Sequence, residues 1–292
     1  MIVTLMLICL TSAANELRIV SSDSGKTLSV KNLAKDLKGY DLIFFGEFHD
    51  NAELHKLQRE LLPLIMSKRE LILSFEMFER DVQSEVDAYI EGWTNEEQFL
   101  LETRVWQNYE SDYKPLIEFA KKYKLGVIAA NVPRRFAGQL TRQGMSFLNE
   151  LEPDERRLLA ENITSPKDEY QKAFYDMMNL ASSASHGMMT DDLNLERLYQ
   201  AQCLKDDTMA ESIVRAFMAK PKAQIIHFNG EFHSRSFLGT VSRVKSAMPK
   251  LKIAVISPTY DSDRQNATLS PTDKRAGTHI ILLPEPSSGG EE

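Results

Sequence analysis

The chain has 292 residues, enough to bury a sizeable core without disulfide or metal staples, and its 42% apolar and 26% charged residues are ordinary for a globular protein. With 35 Lys and Arg against 42 Asp and Glu the net charge is −7, which argues against a nucleic-acid partner. The two cysteines, Cys9 and Cys203, build neither a disulfide framework nor a cysteine zinc module.

In chain order, residues 1–10 read MIVTLMLICL and are followed by Thr11-Ser12-Ala13-Ala14. An apolar run ending in small residues has the pattern of a secretory signal peptide, although no Lys or Arg precedes it. The expectation is a signal over residues 1–14 and an exported chain from Asn15, in the periplasm or at the outer membrane; a buried N-terminal strand is the alternative. The run is too short to span a bilayer, and no transmembrane helix is expected. Met6-Leu7-Ile8 before Cys9 lacks the small residue of a lipidation signal, which argues against anchoring.

Two short extended segments, 17–20 and 27–30, flank Ser21-Ser22-Asp23-Ser24-Gly25-Lys26 and predict a hairpin. Apolar runs then recur at 41–45, 71–75, 126–130, 223–228, 252–256 and 279–283. Each is four to six residues long and rich in Ile, Val, Leu or Phe, as strands buried on both faces should be. Between them, 51–67 places Leu54, Leu57, Leu61 and Ile65 on one helical stripe, and 115–122 reads as a second helix. The alternation predicts an α/β fold, a mainly parallel sheet flanked by helices. From about Phe136 to Lys220 no strand pattern is found, and 153–160, 169–180 and 193–218 read as helices. The expected organisation is an α/β domain over 15–135 and 221–284, a smaller all-helical insertion over 136–220, and a disordered tail over 285–292. The insertion holds Met145, Met177, Met178, Met188, Met189, Met209 and Met218, side chains that fill irregular apolar space or adapt to large apolar ligands.

The chemistry concentrates at strand ends. Gly46-Glu47-Phe48-His49 recurs as Gly230-Glu231-Phe232-His233, and each copy follows an apolar run. In open α/β sheets the carboxyl ends of strands border the ligand crevice. If the chain stays extended past the glycine, Glu and His two residues apart point the same way. The run 71–75 leads into Glu76, and 126–130 leads into Asn131, with Arg134 beyond. His49, Glu76, Glu231 and His233 are therefore the candidate ligands of a divalent metal. Without metal, Glu47, His49, Glu76 and His233 are candidates for general acid–base catalysis, with Asn131 and Arg134 in support. His186 lies in a polar segment of the insertion, and Tyr170, Tyr175 and Tyr199 are carried by its helical stretches; tyrosine is a known axial ligand of haem. No Walker loop, dinucleotide GxGxxG, GxSxG elbow or HExxH occurs.

These residues resemble the ChaN-like family, grouped with the Tiki-type proteases and the erythromycin esterase-like hydrolases. The resemblance rests on Phe45-Gly46-Glu47-Phe48-His49, Phe75-Glu76-Met77-Phe78 and Tyr113-Lys114-Pro115-Leu116. Ala129-Ala130-Asn131-Val132-Pro133-Arg134, Gln202 with Asp206-Asp207-Thr208-Met209-Ala210, and the second Gly-Glu-x-His complete it, from about Leu17 to Ile256. It implies haem as the cofactor, bound through tyrosine in a haem-linked homodimer, and a role in haem or iron uptake at the cell envelope. The candidate haem ligands are then Tyr170, Tyr175, Tyr199 and His186. The hydrolase relatives imply instead an ester- or amide-cleaving centre at His49, Glu76 and His233, with Glu47 alongside.

Overall fold

A computed structural model describes residues 17–184, 192–261 and 269–285. The expected signal over 1–14, His186 with Met188 and Met189, and the tail beyond residue 285 lie outside the described residues.

The apolar runs become strands β1 (Arg18–Ser21), β2 (Thr27–Leu28), β3 (Leu42–Glu47), β4 (Leu71–Glu79), β5 (Gly126–Asn131), β6 (Gln224–Gly230), β7 (Ile253–Tyr260) and β8 (His279–Leu283). They form one sheet in the order β2-β1-β8-β7-β3-β6-β4-β5. The six strands from β8 to β5 are mutually parallel, and the β1–β2 hairpin adds antiparallel to β8. This is the mainly parallel α/β architecture that the sequence pattern predicts. Every residue of β3, β6 and β8 is buried, which is why these strands read as unbroken apolar runs rather than alternating ones.

One face of the sheet is covered by α1 (Val30–Leu37), α2 (Ala52–Ile65), α3 (Gln83–Glu91), α4 (Glu96–Thr103) and α5 (Lys114–Tyr123). Asn51 starts α2 as its N-cap, accepting the Leu54 amide hydrogen, and Leu54, Leu57, Leu61 and Ile65 are buried together, as the stripe predicts. The chain continues through α6 (Arg134–Gln143), α7 (Pro153–Arg156), α8 (Glu169–Ala184), α9 (Asp192–Ala219), α10 (Gly239–Ala247) and α11 (Pro271–Ala276). The C-terminal half of α9 lays Ala210, Ile213 and Phe217 on the opposite sheet face, against Leu42, Phe44, Ile225 and Val255. Ile43 and Phe45 point the other way, the two-residue period of a strand with a core on each side. Burial of these two apolar layers stabilises the fold by roughly 25 cal/mol per Å² of apolar surface.

The helix expected over 153–160 ends at Arg156. Tertiary bonds take over from there: the Arg156 guanidinium donates to the Ala160 and Glu161 carbonyls, and the Ala160 amide donates to Thr208 Oγ1 on α9. Those contacts satisfy the backbone that a longer helix would have satisfied internally.

Candidate functional site at the carboxyl edge of the sheet

β3, β6, β4 and β5 are consecutive neighbours in the sheet, so Glu47, Gly230, Glu76 and Asn131 lie side by side at its carboxyl edge. Glu47 is the last residue of β3 and is buried. Its carboxylate accepts from Tyr113 Oη at 2.6 Å, from Gln58 Nε2 at 2.6 Å and from His49 Nδ1 at 3.0 Å. Tyr113 reaches it from a π-turn (Tyr109–Tyr113) that leads into α5, a distortion often found where a side chain must be aimed. A carboxylate only accepts, so Nδ1 of His49 carries the hydrogen and Nε2 keeps the lone pair of the neutral ring. The His49 ring meets Trp106 edge-on at 4.9 Å, and its side chain is 41% exposed. Burial opposes charge on this ring, but the bond to Glu47 and the charges of Glu76 and Glu47 outweigh it, and the His49 pKa stands above its usual value.

Gly230 faces this ring from β6. A Cβ there would stand 2.8 Å from His49 Nε2, so glycine is required for close approach and not for an unusual backbone angle.

Glu76 sits where the β4–β5 register shifts between Phe75 and Glu79, an irregularity that re-aims the side chain. Its Oε2 accepts the Gly230 amide hydrogen at 2.7 Å, its Oε1 lies 3.2 Å from His233 Nε2, and its carbonyl accepts from Asn131 Nδ2 at 3.0 Å. The other nitrogen of His233, Nδ1, donates to Asp206 Oδ1 at 2.8 Å. Asp206 also accepts from Thr240 Oγ1 at 2.7 Å and Tyr170 Oη at 2.7 Å. With a carboxylate at each nitrogen, His233 donates from both and is an imidazolium. Burial works against that charge; Glu76 and Asp206 overcome it and push the pKa up to about 9. In return, against the same burial, His233 holds the carboxyls of Glu76 and Asp206 below their usual range.

Of the residues singled out in the sequence, Glu47, His49, Glu76, Asn131 and His233 are brought together. Glu231 and Arg134 do not join them. The chain does not stay extended after Gly230 but turns into a 3-10 segment (Glu231–His233). That turn sends the Glu231 carboxylate to Arg235 and to Ser257 Oγ on the β7 side, while His233 swings towards Glu76. Arg134 is exposed, with Nε 4.0 Å from Glu79. The expected metal set of His49, Glu76, Glu231 and His233 is therefore not assembled. Among the described residues no group of three or more His, Cys, Asp or Glu side chains is placed to hold an ion.

The haem candidates are placed as follows. Tyr170 is buried and donates to Asp206; Tyr199 is buried and donates to the Pro166 carbonyl at 2.6 Å; Tyr175 donates to Glu196 Oε2 at 2.7 Å. Burial first, then Asp206 at Tyr170 and the Cys203 thiol at Tyr199, raise the pKa of both hydroxyls far above the ordinary phenol value. None of the three hydroxyls is free, so these side chains do not fit as tyrosinate ligands in this conformation. Asp206, Gln58 and Tyr113 carry polar bonds of the site that the strand-end pattern did not single out. The signal for Asp206 is its place one helical turn after Gln202, on a stretch of α9 that otherwise buries Cys203, Leu204 and Met209.

The haem-binding uptake family of the Tiki superfamily, ChaN, matches residues 33–244. No curated protein matches the chain in sequence. Among solved structures, the fold is similar to that described as cofacial haem binding to ChaN of Campylobacter jejuni, at 15% identity and a TM-score of 0.66, over 92% of this chain and 98% of that one. It is also similar to a variant of the erythromycin esterase EreC in its open conformation, at 12% identity and a TM-score of 0.50, over 94% of this chain and 98% of that one.

Proposed function

The chain belongs to the haem-binding uptake family of the Tiki superfamily, and from that premise we propose that it is an exported haem-binding protein of the cell envelope that takes part in haem or iron uptake. The observation that carries the haem reading is the family match, which runs from α1 into α10 and takes in β3, β4, β5 and β6, the strands that carry the histidine site. Exposed apolar side chains on α8 and α9, Met177, Leu180 and Leu193, support it as surface suited to a porphyrin. No step is assigned to Tyr170, Tyr175 or Tyr199. Export rests on residues 1–14, and a haem-linked homodimer belongs to the same proposal. No helix of the described residues is long and apolar enough to cross a membrane. The test is a haem titration of the protein from Asn15 onward, read by absorption and by size. Saturable binding with a ligand-type spectrum and a shift to dimer supports the reading; no saturable binding contradicts it.

A second reading, hydrolysis of an ester or amide, is favoured by the two differently held histidines. His49 Nε2 takes a proton from water, and the hydroxide formed attacks the carbonyl carbon. The positive charge of His233 offsets the Glu76 and Asp206 carboxylates on either side of it, so the hydroxide and the developing oxyanion meet less repulsion than they would beside a neutral ring. Collapse of that intermediate breaks the bond to the leaving group, which receives the proton from His49. The rate should rise with pH as His49 becomes neutral and fall above about 9 as His233 loses its charge. A screen of activated esters and peptides decides it. Turnover abolished by His49→Ala supports this reading, and turnover that survives that substitution contradicts it.

A further inference from the structure

Beside the histidine site, beyond the end of β4, lies a cavity of about 490 Å³ lined by Glu79, Arg104, Arg134, Arg135, Gly138 and Arg142. Its charges do not balance. Arg104 bonds to Glu79 at 2.8 Å and to Asp81 at 2.5 Å, Arg135 bonds to Asp81 at 2.8 Å, and Arg134 approaches Glu79 at 4.0 Å. Arg142 has no carboxylate partner among the described residues. Four guanidinium groups thus face two carboxylates.

The helix that carries three of them departs from helix preferences twice. Arg134 and Arg135 open α6, where the helix dipole favours anions, no acidic residue occupies the first turn, and no side chain caps it. Gly138 lies in the helix interior, where glycine costs about 1 kcal/mol relative to alanine. A Cβ at that position would stand 3.2 Å from Arg142 Nη1, so the glycine leaves room for the guanidinium that closes the cavity. Both departures are compensated if the cavity holds an anion.

We infer that this cleft binds a small molecule bearing two or more oxyanion groups, phosphate or carboxylate, through the paired N–H donors of its arginines. The inference rests on neither the haem nor the hydrolase reading, because its probes contain no iron, porphyrin or scissile ester or amide bond. The experiment is a calorimetric titration of the full chain with pyrophosphate and, separately, with citrate at low ionic strength. One saturable site per chain is expected, weakening as salt is added. The double substitution Arg134→Gln/Arg142→Gln, at two exposed positions, should weaken it about tenfold or more, and Arg142→Gln alone by several-fold. The tighter probe assigns the source, phosphate or carboxylate. Saturable heat from neither probe overturns the inference, as does binding that the double substitution leaves unchanged while circular dichroism confirms the fold.

Discussion

The two Gly-Glu-Phe-His segments are identical in sequence and opposite in what they do with their side chains. After β3 the glutamate turns inward, where Tyr113, Gln58 and His49 bond to it, and the histidine stays half-exposed with a carboxylate at Nδ1 alone. After β6 the chain coils at once; the glutamate goes to Arg235 and the histidine is buried between Glu76 and Asp206. Neighbouring carboxylates, and not the tetrapeptide, decide the protonation state. One carboxylate at Nδ1 leaves a ring that can accept a proton, and two carboxylates make a fixed cation.

The largest expected effect is on the buried side. Asp206→Ala leaves the His233 cation with one partner and removes the acceptor of Tyr170 and Thr240, so urea denaturation should show a loss of about 3–5 kcal/mol. Gly230→Ala strikes between the two segments: the methyl would fall 2.8 Å from His49 Nε2, and overpacking of this kind costs about 1–3 kcal/mol. It should also displace the His49 ring from Glu47, visible as a changed imidazole titration by NMR. On the open side, His49→Ala should cost about 1 kcal/mol or less, because the ring is 41% exposed, yet remove any hydrolytic turnover. An equally large loss of stability from His49→Ala would erase the contrast.

The pH dependence sharpens the same contrast. The folded pKa of His233 is raised from 6.5 to about 9, so its contribution is complete below 6.5 and is lost as pH rises through about 9. The folded pKa of Glu76 is lowered from 4.5, so its contribution is present above 4.5 and is lost in acid. Denaturation midpoints measured across pH should therefore fall at both ends, and the alkaline fall should vanish in His233→Gln.

The sheet was legible because its strands are buried on both faces and bounded by polar residues; 71–75, 126–130 and 279–283 begin where β4, β5 and β8 begin. The strand-end position of Glu47 and Asn131 followed from the same pattern, whereas β4 runs three residues past Glu76 and aims that side chain through its register shift. The fate of Glu231 did not, since a 3-10 turn and an extended segment have the same residues and differ in tertiary bonds to Arg235 and Ser257. Asp206 entered only as part of a family motif, and its role was hidden by distance along the chain: it lies in the long helix α9 and meets His233 only when that helix packs across the strand ends. Tyr170 illustrates the converse. Its place on a helix with Phe174 allowed either a ligand or core packing, and the sequence pattern held no sign of the bond from its hydroxyl to Asp206.

The most direct test of the two-histidine account is long-range 1H–15N NMR of the imidazole rings between pH 6 and 10. The account predicts that His233 is protonated on both nitrogens at pH 7.5 and loses that pattern near pH 9, while His49 titrates at lower pH with its hydrogen retained on Nδ1. A neutral His233 at pH 7.5, or two rings that titrate together, would contradict it.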